Sequence, residues 1–410
     1  MQWNRYLLAR QAGLLVGLIY FFINTVGLPL GLTYTTLLAP LFYIWVILKR
    51  KTDILLPFMG LLLPFIVAHI LLVDVEIQKY AIAIFNILAV YIFGQAFYTW
   101  LRFDAGKEQV FRKVLLINTV LCLIAIVSYF TPLSYIFWIQ QNLTDKVDQF
   151  LRLKLFTYEA SYYAMLFTPL FSFYFLRYVL RLNRGNSAVL LFMLFMPFVL
   201  SFSIGVILCL VAGGLFTFLV HFRSLHSKRR VVNGFVTFGF VTVTLFVLGF
   251  IFFRNNPVFL RLENIFLGKD TSTMGRTEEA FILAKKLLEE KSWYWGIGPG
   301  QLSLTGADII RSYYLYSFHT PVAIPNAAAE TLALFGWIGF IVRLLVQVVL
   351  FFVTKVWTNY YRLLLFFFIF LYQFMGSYIT NAAEYVIWIL AFTNAFPEFN
   401  VTRKNKEVLK

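Results

Sequence analysis

Long, continuous apolar runs dominate the chain, separated by short polar stretches that are mostly basic. The runs fall near 11–27, 31–48, 54–73, 80–100, 114–130, 159–180, 187–201, 204–221, 232–253, 326–350, 363–379 and 384–397. A helix of this length reaches across about 30 Å of hydrocarbon. Barrel strands alternate apolar and polar residues, so uninterrupted apolarity excludes a β-barrel. The pattern predicts an all-α polytopic membrane protein with about twelve transmembrane helices. One polar stretch, 254–325, is too long to be a turn. It divides the chain into an N-terminal transmembrane bundle over 1–253, a large loop over 254–325, and C-terminal spans with a basic tail over 326–410.

Composition narrows the class. The 410 residues are 60% hydrophobic and 13% charged, against roughly 25% charged in soluble domains. The net charge of +16 does not point to nucleic acid, because the basic residues cluster between apolar runs. Arg5 and Arg10, Lys49 to Lys51, Arg102, Lys107, Arg112 and Lys113, Arg223, Lys228 to Arg230, and the C-terminal tail all fall on one side of the alternation. Cytoplasmic loops carry such an excess. Both termini are therefore expected in the cytoplasm and the 254–325 loop on the outer face. The first run follows Met1 to Arg10 without a small-residue cleavage site, so an uncleaved anchor is expected. Cys122 and Cys209 sit inside apolar runs with no CxxC pairing and read as packing residues.

Chemistry is expected on the outer side. Gly275 to Lys291 reads as an amphipathic helix with Phe281, Ile282, Leu283, Leu287 and Leu288 on its apolar face and Thr277 as its cap. Trp293, Tyr294 and Trp295 follow, as aromatics do at headgroup level. The helix either lies along the bilayer surface or docks on the spans. Gly296-Ile-Gly-Pro-Gly300 permits close backbone approach. Arg311, Tyr313, Tyr314, Tyr316 and His319 combine a cation, three phenols and an imidazole, a set suited to binding sugars. Glu159, Glu330 and Glu384 lie at one depth near outer span ends, with Asn326 on the face of Glu330. Arg177 and Arg343 read as snorkelling anchors, and His69, Asn86 and Asn118 as interhelical hydrogen-bonding residues. No metal-ligand spacing occurs, and neither a metal nor another cofactor is expected.

These motifs resemble a known family. Gly275-Arg276, Gly296-Ile-Gly-Pro-Gly300, and Pro325-Asn326 with Glu330, Gly336 and Gly339 look like the C-terminal signature of bacterial O-antigen and exopolysaccharide polymerases, which the O-antigen ligases share. Arg152 through Phe156-Thr-Tyr-Glu159-Ala-Ser161 resembles an upstream segment of the same polymerases. Two places differ: Ile324-Pro325-Asn326 lacks a preceding histidine, and Ser203-Ile204-Gly205 lacks the Ser-Arg pair common in the family. The resemblance implies a GT-C-like inverting glycosyltransferase in the bacterial inner membrane. Its donor and acceptor would be oligosaccharides linked to undecaprenyl pyrophosphate, and its partners membrane lipid and a chain-length regulator protein. On that reading Arg276, Arg152, Glu159, Glu330 and His319 are the catalytic candidates. Arg311, Asn326, Tyr313, Tyr314, Tyr316, Gly298 and Gly300 are the substrate-binding candidates. The rival readings are an O-antigen ligase and a transporter of lipid-linked saccharide; a scaffold or sensor would need a soluble interaction domain.

Overall fold

The computed structural model describes residues 16–23, 34–103, 106–141, 150–182, 187–222, 263–264, 267, 271–314 and 322–401. The expected span at 232–253, most of that at 11–27, and the candidates Tyr316 and His319 lie outside them. The longer described helices are α1 (Tyr34–Arg50), α2 (Leu55–Ala68, extended by a π turn over His69–Val73), α3 (Ile77–Phe103) and α4 (Lys107–Ser128). A single turn, α5 (Ser134–Phe137), leads into strands β1 (Trp138–Gln141) and β2 (Phe150–Leu153). Then come α6 (Ala160–Val179), α7 (Ser187–Ser201), α8 (Ile204–Val220), α9 (Thr271–Arg276), α10 (Glu278–Glu290), α11 (Thr305–Tyr314), α12 (Ala327–Val353), α13 (Tyr360–Tyr372) and α14 (Ala382–Phe392).

Leu55–Val73, Ile77–Phe103, Lys107–Ser128 and Ala327–Val353 are long and apolar enough to cross a membrane, and Ala188–Ser201, Ile204–Val220, Tyr360–Tyr372 and Ala382–Phe392 are shorter apolar helices. This is a membrane-embedded, mostly helical protein. Large apolar side chains such as Ile341, Leu345, Val349 and Phe352 remain exposed on α12, where lipid takes the place of a protein core. By contrast, α6 is buried along nearly its whole length.

The described chain forms two compact units that do not follow the three-part division of the sequence. One comprises Met1–Lys107, Met274–Lys355 and Ile369–Thr393, and the other Glu108–Thr273, Val356–Phe368 and Asn394–Lys410. Helices bury apolar stripes against whichever partners fit, so each unit draws on distant segments.

In the first unit α3 packs against both α1 and α14. Glu76 starts α3 by accepting the backbone N–H groups of Gln78 (3.2 Å) and Lys79 (2.8 Å), two donors with no partner inside the helix. The amphipathic helix α10 packs on α12 and α11. Its Ala280, Leu283, Ala284, Leu287 and Leu288 are buried in a cluster with Phe58, Leu62, Phe65, Leu332 and Ala333. The helix is therefore docked on protein, with its apolar stripe covered. Thr277 does precede α10, but its side chain makes no cap hydrogen bond.

The second unit contains an element the hydropathy pattern did not foretell. The connection between α4 and α6 carries an antiparallel hairpin, β1–β2, with Ile139 opposite Arg152 and Trp138 opposite Leu153. Trp138 anchors it by donating Nε1–H to the Ala125 carbonyl at 2.8 Å. Neither Trp-Ile-Gln-Gln nor Phe-Leu-Arg-Leu alternates apolar and polar residues, so the period that marks a strand is missing. Beneath it, the Tyr163 hydroxyl donates to Asn118 Oδ1 at 2.9 Å, tying α6 to α4 as the sequence anticipated. Asn86, read the same way, keeps a buried Oδ1 with no partner among the described residues. Both cysteines are buried thiols that form no disulfide. A Cβ on Gly213 would lie 3.0 Å from Phe368 N and 3.1 Å from Leu364 O, so α8 crosses α13 at the close range that small residues permit.

Candidate functional site

The first unit gathers the separate motifs into one substructure. Helix α12 is broken at Gly336, which adopts φ 66° and ψ −170°, a region open essentially to glycine alone. The break leaves the carbonyls of Ala333 and Leu334 and the N–H groups of Trp337 and Ile338 without their helical partners. Segment 293–298 supplies all four. Ile297 N donates to Ala333 O (2.9 Å) and Gly298 N to Leu334 O (3.0 Å), while Trp337 N donates to Trp293 O (3.0 Å) and Ile338 N to Tyr294 O (3.3 Å). Irregular backbone inside a membrane helix persists only when its polar groups are satisfied in this way. Close approach also requires Gly296, where a Cβ would stand 2.6 Å from Ala333 O.

The other side of the segment is clamped to the α2–α3 turn. Gln301 Nε2 donates to Glu76 O and Gln301 Oε1 accepts from Glu76 N, both at 3.1 Å. Lys291 Nζ donates to the carbonyls of Val73 (3.1 Å) and Asp74 (3.2 Å). His69 is fully buried and bridges Tyr80 Oη (2.9 Å, at Nδ1) and Trp295 O (2.7 Å, at Nε2). A carbonyl only accepts, so Nε2 carries the hydrogen and Nδ1 accepts from the Tyr80 hydroxyl. Replacing His69 by alanine is expected to cost about 1–3 kcal/mol through the buried groups left unpaired. Hydrogen exchange of residues 295–301 is expected to quicken in that variant, and unchanged protection there would refute the clamp.

Asn326 joins the loop to the start of α12. Its Oδ1 accepts from Ala329 N (2.9 Å), and its Nδ2 donates to Arg276 O (2.8 Å) and Phe374 O (2.7 Å). Ala327 N and Ala328 N donate to Gly376 O and Gln373 O, each at 3.1 Å. The three leading amides of α12 are thus already occupied, so this helix start offers them to no anion. Asn326 is also fully buried. Its bonds organise the start of α12.

Just beyond lies a buried polar cluster. Arg343 forms an ion pair with Glu384 through Nη2 and donates Nε–H to Gln373 Oε1 (2.9 Å) and Nη1–H to Thr331 Oγ1 (3.0 Å). Gln373 and Gln347 exchange amide hydrogen bonds of 2.9 Å in both directions. Trp388 Nε1 donates to Glu384 Oε1 at 3.4 Å. Arg343 is therefore no snorkelling anchor: its guanidinium turns inward because a carboxylate faces it there. The signal in the sequence was Arg343 inside one apolar run with Gln347 about a turn later, and Glu384 at the start of another with Asn381 about a turn before. Arg177 likewise pairs with Glu108 and covers the Phe173 ring at 5.4 Å.

The remaining candidates sort by place. Glu330 Oε2 accepts from Ile379 N at 2.7 Å, which ties it to the chain between α13 and α14. Arg276 ends α9 and is half-buried, as is Arg311 on α11. Tyr313 lies under Lys286, with Nζ 5.0 Å from the ring centre, and meets Tyr314 edge-on at 5.0 Å. These two tyrosines pack against the α10 core cluster. Gly298 and Gly300 face the α2–α3 turn: Cβ atoms there would meet Val75 Cγ1 and Lys79 O. Gly298 lets the chain pass the Val75 side chain, and Gly300 lets it pass the Lys79 backbone.

In the second unit Arg152 is 2% exposed. It donates Nε–H to Ser201 O (2.8 Å) and Nη2–H to Ser161 Oγ (3.3 Å). It thereby joins β2, the start of α6 and the end of α7, where Phe202 takes φ 45° before α8 begins. Glu159 stands half-buried at the N-terminal boundary of α6, without a cap hydrogen bond from its side chain. Groups of three or more histidine, cysteine, aspartate or glutamate side chains able to hold a metal do not occur among the described residues. Compared with known protein families and with curated proteins, the chain matches no family model and no individual protein.

Proposed function

We propose that this protein is a bacterial polysaccharide polymerase of the O-antigen and exopolysaccharide type. It joins oligosaccharide units carried on undecaprenyl pyrophosphate at the outer face of the cytoplasmic membrane, in a GT-C-like bundle of about twelve spans with both termini inside. The observation supporting this reading is the convergence of the resembling motifs. Although the motifs are far apart in sequence, Asn326 at the start of α12 donates to Arg276 O, and Ile297 and Gly298 of the glycine turn donate to Ala333 and Leu334 of the same helix, just before Gly336.

In the proposed reaction an acceptor hydroxyl attacks the donor's anomeric carbon. The bond from that carbon to the pyrophosphate oxygen breaks with inversion, and the electron pair leaves with the pyrophosphate. Charge growing on the leaving group calls for planar, fork-shaped donors. Arg276, with Arg311 of the same long loop as a further candidate, fills that role. His319 is the candidate to take the acceptor's proton. Glu330, held by Ile379 N–H, positions the start of α12. A good leaving group makes a metal unnecessary for this route.

Replacing Arg276 by alanine is expected to lower polymer yield about 100-fold or more, the usual scale for loss of one transition-state donor. Single repeat units should accumulate on their lipid carrier, as judged by electrophoresis of extracted glycolipid. Polymer of normal length and amount in that variant would refute the assignment. One pair of observations favours a second reading, transport of the lipid-linked saccharide. A membrane helix broken at Gly336, with charged groups buried alongside, is a feature of transporters. Movement of labelled glycolipid across a vesicle without chain extension would select it.

A further inference from the structure

Helices α1 and α3 pack against each other, and both carry basic residues in their last turn. On α3, Gln95, Tyr98 and Arg102 recur at i, i+3 and i+7, so they share one face. Arg50, the last residue of α1, reaches across to that stripe. Its Nη1 donates to Gln95 Oε1 at 2.6 Å, and its Cζ stands 5.3 Å from the centre of the Tyr98 ring. Arg102 meets the same phenol at its hydroxyl, with Nη1 donating to Oη at 3.4 Å. Two guanidiniums thus share one half-buried tyrosine.

Like charges held this close need an anion, and the chain does not supply one here. No carboxylate among the described residues pairs with Arg50 or Arg102. Asp53 is occupied as the cap of α2, its Oδ1 accepting Leu55 N–H at 2.8 Å. Lys107 gives its Nζ to the Leu101 carbonyl at 2.9 Å, and Lys49 and Lys51 add exposed positive charge. Over 49–53 and 102–107 five basic residues outnumber two acids, Asp53 and Asp104, the second of which lies outside the described residues.

We propose that Arg50 and Arg102, astride Tyr98, form a binding site for the phosphate of an anionic phospholipid, in the leaflet at the basic ends of α1 and α3. Phosphate oxygens accept from guanidinium forks, and a tyrosine hydroxyl adds a donor. Basic pockets between membrane helices hold lipid head groups by this chemistry. The apolar surroundings decide between a lipid and a free phosphate. Next to the two arginines the helices expose Ile44 and Leu48 on α1 and Phe103 on α3, which acyl chains cover and inorganic phosphate cannot. A head group held by one arginine from each helix also bridges the helix pair. Neither helix end carries a candidate for glycosyl transfer, so the site is independent of that reaction.

The test is native mass spectrometry of the full-length protein in neutral detergent, titrated with dioleoylphosphatidylglycerol or dioleoylphosphatidylcholine. The wild type should hold one phosphatidylglycerol about tenfold more tightly than phosphatidylcholine, and inorganic phosphate should not displace it. Arg50→Gln and Arg102→Gln should each weaken phosphatidylglycerol binding about tenfold, the scale of one lost charge-assisted hydrogen bond. Arg102 is exposed, so its variant keeps the test valid if Arg50→Gln fails to fold. Lys49→Gln combined with Lys51→Gln removes more charge but neither contact to Tyr98, and should weaken binding less than either arginine change. A wild-type protein that takes both lipids equally, or neither, would overturn the proposal. So would a loss in the lysine variant as large as in the arginine variants, which marks diffuse surface charge. Displacement of the lipid by millimolar inorganic phosphate would also overturn it, marking a free-anion site instead.

Discussion

Replacing Gly336 by alanine is expected to unfold the first unit, at a cost of about 4 kcal/mol or more. Two effects add. The backbone at φ 66°, ψ −170° costs a residue with a side chain about 1–3 kcal/mol. The new Cβ would also sit far inside the van der Waals radius of the Tyr294 carbonyl and against Trp295 N. Helix α12 and segment 293–298 must then separate, which strands buried N–H and C=O groups at about 1–3 kcal/mol each. Gly60→Ala is the control. Gly60 lies within α2, and nothing stands within 4 Å of a Cβ there. That change should be neutral or stabilising by up to about 1 kcal/mol. Thermal unfolding in detergent, followed by size-exclusion chromatography, reads both. A Gly336→Ala protein as stable as the wild type would refute the splice.

Arg343→Met is expected to destabilise the chain by about 3–5 kcal/mol, because it leaves Glu384 buried without its cation. The double change Arg343→Met with Glu384→Leu should recover most of that loss, since well-packed apolar replacements of buried ion pairs are often neutral. A double-mutant cycle in the same unfolding assay isolates the coupling. Equal and additive losses from the two single changes would show that the pair contributes nothing beyond its separate side chains. Ionic strength should matter little, because salt screens buried charges weakly.

What could be read from the residues, and what could not, follows from the range of each interaction. Apolar runs of helical length located α1 through α4, α6 through α8 and α12 through α14, because a bilayer demands continuous apolarity; the start of α4 and the ends of α13 and α14 differ from the runs by about one to two helical turns. The amphipathic period of Glu278–Glu290 was equally plain. Invisible in one dimension were the contacts that give polar residues their meaning. Gly298 and Gly300 read as residues permitting close approach, but what they approach, Val75 and Lys79, is distant in sequence. Asn326 and Glu330 were correctly grouped, yet the first is consumed by Arg276 O and Phe374 O and the second by Ile379 N. Arg343 was misread because an arginine near a span end snorkels unless a carboxylate faces it, and Glu384 lies 41 residues away. The β1–β2 hairpin escaped notice because its short strands do not alternate apolar and polar residues.

The most direct test of the polymerase reading is reconstitution of the purified full-length protein in liposomes with a lipid-linked repeat unit. Products are separated by size, and released undecaprenyl pyrophosphate is quantified. The account predicts a ladder of lengthening chains, one carrier molecule released per unit joined, without added metal and without lipid A core. Substrate recovered unextended, moved across the bilayer intact, or transferred only when lipid A core is supplied would contradict it.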